Sequence, residues 1–472
     1  MLLRIIKLEN QANIFKSLLL SCSCLFLFHL NASPIEYDLL ETPSTHLDND
    51  DDDISEDPSF DEDQNNAEDE PKSWKDADTS SAQVIKSNYE FTPAAKDKNI
   101  SHRYQIDFLQ TKIDVGGWLE LQGNDFLNSP VPGKQKVIRA ARLYFDSISR
   151  DLIEFMIMIQ GDKGRLGLHY LYLDVLKPHY FRIRAGLFNK PFSMEALYSI
   201  RYLWMINRSL GTINYITIRD FGGEIHGTFL EDRFEYGIAL FNGNGTNLAS
   251  NPNKDFCARL EYRPYAHQKE SLYHNLRLGI SFTTCEQKNH LTGTSFKTGY
   301  GTPFLSWNSP HIKAKTNKML CGGDTEWLIG PTALRGEFLI VNWDKVSTPT
   351  TSVPFTGYSW YIESGYILTG EDQRHNLPLI PKNNFNFQHG GGAVEVTARY
   401  EAFQADKKVI QAGLATGTSY VSGFTLGLNY YFNPFVLIRF NWQESYFHKT
   451  IMVKNRPIRD ESVLSGILQG EF

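Results

Sequence analysis

The chain has 472 residues, a formal net charge of −7, 41% hydrophobic residues and a mean hydropathy of −0.35. No apolar run of about 18 residues occurs, which argues against a helical membrane span. The averages do not argue against a transmembrane β-barrel, whose apolar residues are diluted by alternation.

Residues 1–33 read as a secretory signal peptide. Arg4, Lys7 and Lys16 supply a positive start, Ser17 to Leu30 an apolar core too short to span, and Asn31-Ala32-Ser33 a region where cleavage could fall. Ser21-Cys22 raises an acylated-cysteine reading, but the apolar run continues past Cys22. Residues 34–100 are predicted to be an acidic, disordered periplasmic segment. Within it, residues 34–80 hold 18 Asp or Glu against Lys72 and Lys75, a net −16, with little to bury. It reads as a solvated tether, or as a fringe at the periplasmic mouth that repels anions. Taking out this −16 and the +2 of residues 1–33 leaves residues 81–472 at +7, so the folded part is basic and favours anions nearby.

From about residue 104 the pattern is β throughout, and residues 101–472 are predicted to form one transmembrane antiparallel barrel of about 16 strands. Leu171, Leu173 and Val175 alternate with Tyr170, Tyr172 and Asp174; Phe181, Ile183, Ala185 and Leu187 alternate with Arg182, Arg184, Gly186 and Phe188. Leu276, Leu278, Ile280 and Phe282 alternate with Arg277, Gly279 and Ser281, and Val436, Ile438, Phe440 and Trp442 with Leu437, Arg439, Asn441 and Gln443. The chain closes on Leu464, Leu468 and Phe472 in one parity against Ser465, Gln469 and Glu471 in the other. Such a strand has a lipid face and a lumen face, and closing the barrel leaves no edge in hydrocarbon. Trp360-Tyr361, Tyr430 to Phe432 and Trp442 to Phe447 are candidates for aromatic girdles. Beyond Cys22 and Cys24, the cysteines are Cys257, Cys285 and Cys321. They form no Cys-x-x-Cys pair and read as small apolar fillers.

An ordered set of segments goes beyond pattern. It begins with Ile138-Arg-Ala-Ala-Arg-Leu-Tyr-Phe145, Tyr172-Leu-Asp174, Arg184-Ala-Gly-Leu-Phe-Asn-Lys-Pro-Phe-Ser193 and Ser199 to Leu210. It continues through Arg219-Asp-Phe-Gly222, Phe241-Asn-Gly-Asn-Gly245 and Asp255 to Pro264. Tyr358-Ser-Trp-Tyr361, Leu368-Thr-Gly-Glu371, Gly392 to Tyr400 and Thr425 to Pro434 complete it. This set resembles the family of phosphate-selective porins O and P over roughly residues 104–472. The resemblance implies a 16-stranded barrel, a homotrimer, in the bacterial outer membrane among its lipids. It also implies passive passage of small anions such as phosphate, with a long third loop folded into the pore. That loop would be residues 193–218. Arg208 matches an arginine of a family motif whose preceding glutamate is Asn207 here.

An anion-preferring pore needs fixed positive charge where it is narrow, and arginine offers a planar fork that stays charged. Arg182 and Arg184, just before the loop, and Arg201 and Arg208, within it, are the leading candidates. Arg142, Arg259, Arg263, Arg277 and Arg439 share lumen parity and come second. Asp114, Glu120, Asp146, Asp174, Glu224, Glu261, Glu337 and Glu395 have the same parity, so a general diffusion porin is the competing reading. A structural or adhesive barrel with long outer loops, such as residues 283–327, is another. His169 and His226 fall in no catalytic constellation, and neither an enzyme, a cofactor, a metal nor a nucleic-acid partner is expected.

Overall fold

The computed structural model describes residues 104–108, 110–128, 135–162, 165–243, 245, 254–287, 294–308, 316–348 and 350–472. The predicted signal peptide and the acidic segment 34–100 lie outside these residues.

The chain forms β1 (Tyr104–Phe108), β2 (Thr111–Phe126), β3 (Gln135–Ser149), β4 (Ile153–Asp162), β5 (Arg165–Val175), β6 (Arg182–Asn189), β7 (Arg219–Phe229), β8 (Phe234–Phe241), β9 (Asp255–Tyr262) and β10 (Arg277–Gln287). There follow β11 (Ser295–Lys297), β12 (Pro303–Trp307), β13 (Thr316–Ile329), β14 (Thr332–Ser347), β15 (Ser352–Ile367), β16 (Ala393–Gln404), β17 (Ala415–Gly417), β18 (Tyr420–Asn433), β19 (Val436–Val453) and β20 (Arg456–Glu471). Sixteen of them, β2 to β10, β13 to β16 and β18 to β20, form a closed antiparallel ring, and β2 pairs with β20 to seal it. The seal extends to the last residue: Phe472 N–H donates to Gly117 O at 3.0 Å, and Gly117 N–H donates to Phe472 O at 3.1 Å. β1 pairs only with the first residues of β2, below the point where β20 begins to pair.

The alternation predicted from sequence holds over most strands. Ile183, Leu278, Ile280, Phe440, Leu464, Leu468 and Phe472 are exposed on the outside. On β15 the outer face carries Tyr358 near one end and Tyr366 near the other. Eight residues at ~3.3 Å each and a tilt of ~40° separate them by about 20 Å along the barrel axis, close to a hydrocarbon band. Tyr361, predicted for a girdle, instead points inward and is buried. The alternation of burial also stops at Gly186, where φ is 135° and an added Cβ would lie 2.1 Å from Leu171 O; Leu187 and Phe188 are both buried beyond it. Cys257 is buried and Cys321 half-buried, and neither is in a disulfide.

The end that carries the C-terminus has mostly tight turns, such as 150–152, 330–331 and 434–435, but also two longer segments, 263–276 and 368–392. The opposite end has the larger loops. There the β11–β12 hairpin, predicted as part of a long outer loop, turns inward and pairs with β17. Phe296 of this hairpin packs 5.2 Å from Phe403 and 6.1 Å from Phe355. Trp343 and Phe355 lie 4.4 Å apart beneath it, and Tyr215 stacks on Phe403 at 4.7 Å. Each such ring, fully removed from water, contributes about 1.5–3 kcal/mol. This apolar plug fills the lumen beside β14 to β16 and leaves the open path on the opposite side.

Candidate functional site

The third loop of the larger end, residues 190–218 between β6 and β7, folds into the barrel. It contains α1 (Met194–Leu197), a short 3-10 turn (Ile200–Tyr202) and α2 (Leu210–Tyr215). Side chains begin both helices. Ser193 Oγ accepts from Ala196 N–H at 3.1 Å and donates to Glu337 at 3.0 Å, and Ser209 Oγ accepts from Thr212 N–H at 3.4 Å. These caps satisfy backbone donors that the helix leaves unpaired. Phe192, Met194, Leu203, Met205, Ile206 and Leu210 are buried, which holds the loop inside rather than across the mouth.

Charged side chains clamp the loop to the wall. Arg399 on β16 donates to Glu195 at 2.8 Å, to Glu363 at 2.6 Å and to Asn207 O at 2.9 Å. Glu195 also accepts from Ser209 N–H at 3.0 Å and Ser209 Oγ at 2.7 Å. Leu210 N–H donates to Glu401 at 2.6 Å, and Ile206 N–H to Asn441 at 2.6 Å. Tyr198 donates to Glu326, which Arg335 holds at 2.7 Å. Burial above all, with Glu326 beside it, pushes the Tyr198 phenol well above its ordinary range, against the opposing pull of Arg335. At the loop's entrance Lys190 contacts Asp255 at 2.6 Å and Asp220 at 3.1 Å. Burial opposes its charge, but the two carboxylates outweigh this and hold its pKa above the ordinary lysine value.

The segment 368–392 meets the loop from the other end of the barrel. Asn376 Oδ1 accepts from Ser199 N–H at 2.9 Å, His375 Nδ1 lies 3.0 Å from the Tyr198 hydroxyl, and Gln373 donates to Glu395 at 2.7 Å.

The loop, this segment and β2 to β10 enclose a water-accessible cavity of about 650 Å³. Eight of the nine arginines chosen from sequence line it: Arg142, Arg182, Arg184, Arg201, Arg208, Arg259, Arg263 and Arg277. Arg439 is the exception. It points inward but is fully buried, donating to Arg201 O at 3.3 Å, because the third loop covers its wall. Two lining arginines were not among the nine. Arg219 opens β7 on its outward parity, yet its guanidinium sits 5.7 Å from the Tyr170 ring centre, so parity points the wrong way. Arg374 lies in the aperiodic segment 368–392, where no alternation could identify it.

Carboxylates hold several of these arginines. Arg184 contacts Asp174 at 2.7 Å and Glu224 at 3.6 Å, and His226 reaches the same Asp174 at 3.0 Å. Arg259 Nη2 donates to Asp324 at 2.8 Å, Arg277 pairs with Glu261, and Arg201 meets Glu471 at 2.9 Å. Arg208 donates instead to the carbonyls of Glu195 at 3.2 Å and Tyr198 at 2.7 Å. Asp174 and Asp324 stand behind the surface. The lining itself contains ten arginines, no lysine and five side-chain carboxylates.

Among solved structures, the fold is similar to that of outer-membrane expressed OmpT of Vibrio cholerae, with a TM-score of 0.50 at 10% identity over 77% of this chain and 98% of that one. The outer membrane channel DcaP of Acinetobacter baumannii gives 0.49 at 10% over 77% and 97%, and Salmonella typhi OmpF in complex with daunomycin 0.47 at 9% over 77% and 98%. At such identities only the fold is shared. A search of curated protein sequences finds no match. The sequence model of phosphate-selective porin O and P matches residues 158–466, which takes in the inserted loop and every strand from β5 to β19. With well over half of the chain matched and a closed 16-stranded barrel around a narrowed lumen, the chain belongs to the phosphate-selective porin O and P family and is a channel-forming porin of the bacterial outer membrane.

Proposed function

We propose that this porin passes anions in preference to cations and that phosphate is among its solutes. The observation that supports the reading is the excess of ten arginines over five side-chain carboxylates on the cavity lining. In a narrow passage with low-dielectric walls such an excess raises the local anion concentration. Arginine forks can replace part of a phosphate's hydration shell, while serial weak sites let the ion leave. Arg182 is the sharpest candidate, since it borders the cavity and its Nε is buried with no hydrogen-bond partner. The nine arginines named from sequence remain the proposed lining, except that Arg439 acts beneath the loop. Residues 1–33 are proposed to be removed on export, the acidic segment to lie in the periplasm, and the barrel to assemble as a homotrimer. The carboxylate partners of Arg184, Arg259 and Arg277 favour, as second reading, a general diffusion porin without phosphate preference.

The test is the zero-current potential in a planar bilayer under a KCl gradient, followed by phosphate titration. A potential of anion-selective sign with chloride current blocked by phosphate supports the proposal. Anion selectivity without block supports the second reading, and a near-zero or cation-selective potential overturns anion preference.

A further inference from the structure

The lumen wall carries a second chemistry beside its arginines. Lumen-facing positions of a porin are ordinarily polar, yet on β3, β4 and β5 the cavity is bordered by Tyr144, Met156, Met158, Tyr170 and Tyr172. The register joins them into one patch. Tyr144 lies opposite Met158, and Met158 opposite Tyr170; one step further along, Met156 lies opposite Tyr172. Tyr170 and Tyr172 meet edge to face at 6.4 Å. Their hydroxyls are engaged, Tyr170 with Asn189 at 2.9 Å and Tyr172 with Glu154 at 2.8 Å, so the rings are what they present. Guanidinium groups stand at the rim of the patch. Arg184 lies 4.8 Å from the Tyr172 ring centre and Arg219 5.7 Å from that of Tyr170.

A hydrated inorganic ion gains nothing from thioethers and ring faces, which offer no hydrogen bond in place of the water they displace. An anion with an apolar body gains at both ends. Its carboxylate or phosphate meets a guanidinium fork, and its body lies on soft, adaptable methionine and on aromatic faces. We propose that the patch and its bordering arginines form one site for organic anions that carry a carboxylate or phosphomonoester head and an aromatic body. This rests on the anion preference proposed above and names the solute class.

The experiment compares, on the full-length protein in planar bilayers, the block of chloride current by phenyl phosphate against inorganic phosphate and by benzoate against acetate. The expected result is half-block by the aromatic anion at a concentration about fivefold lower or less, in both pairs, from partial burial of one ring. Met158→Ser removes that advantage and leaves the inorganic phosphate block unchanged, while Met158→Leu retains it. Should Met158→Ser fail to insert, Met156→Ser gives the same readout. Equal potency of the paired anions in an anion-selective wild-type channel overturns this inference alone. An advantage that survives both serine variants also overturns it. Loss of anion selectivity in the zero-current potential overturns the earlier reading instead.

Discussion

Arg399 is the pin on which the position of the third loop depends, and its removal has a calculable consequence. Its side chain is 2% exposed and bridges Glu195 of the loop, 1% exposed, to Glu363 of the wall, 2% exposed. Arg399→Ala leaves the buried Glu195 without its cation, leaves Glu363 only Arg335 at 3.7 Å, and frees the Asn207 carbonyl. Breaking a buried pair by removing one partner costs about 3–5 kcal/mol. At about 1.4 kcal/mol per factor of ten, the detached loop becomes more populated by roughly two to three and a half orders of magnitude. Arg399 does not line the cavity, so the change should reach conduction through loop position and not through lining charge. Single-channel recording should show higher, noisier conductance, and heat-modified gel mobility should show melting at lower temperature. Arg399→Met combined with Glu363→Met, which removes one of its two carboxylate partners along with the cation, should recover part of the loss. Wild-type conductance, noise and melting in Arg399→Ala would refute the claim that this bridge positions the loop.

Three further outcomes follow from the same geometry. Arg182→Ala should shift the zero-current potential toward zero with unchanged melting, whereas Arg184→Ala should both shift it further and lower stability. The second change takes away the guanidinium that faces Glu224 on the lining and Asp174 behind it, and its effect on selectivity should weaken as salt rises. In a background without native cysteines, Arg182→Cys should react with a water-soluble thiol reagent while Ile183→Cys, on the 48%-exposed outer face, should not; the reverse pattern would invert the strand assignment. Gly186→Ala should lower the melting temperature, since φ of 135° suits only glycine and the new Cβ would sit 2.1 Å from Leu171 O. Backbone strain of that kind costs about 1–3 kcal/mol before the clash is counted.

Where a strand has lipid on one face and the lumen on the other, the sequence speaks directly. A period of two assigned Arg182 and Arg184 inward, Leu464 and Leu468 outward, and the terminal Phe472 to the seam. What lies inside the lumen obeys no such period. Arg439 has the parity of a channel residue but is covered by a loop whose docking depends on partners on β13 to β19. Arg219 departs from parity because it begins its strand and leans over Tyr170. Arg374 and the inward turn of the β11–β12 hairpin belong to connections whose placement is set by tertiary contacts alone. The Tyr144–Met158–Tyr170 row was also hidden, because it joins three strands and only the register brings it together.

The anchors of the third loop carry a consequence for the order of assembly. Glu195 meets a partner 204 residues further along the chain, Leu210 one 191 residues away, Ser199 one 177 away and Ser193 one 144 away. None of these partners exists in the amino-terminal half. The loop therefore has no wall to dock on until the strands from β6 to β16 stand together, and contacts of such long range form late. Most of the circumference must be in place before the loop can seat, so narrowing follows the building of the ring. Seating of the loop, not closure of the seam alone, marks the moment at which the pore becomes narrow.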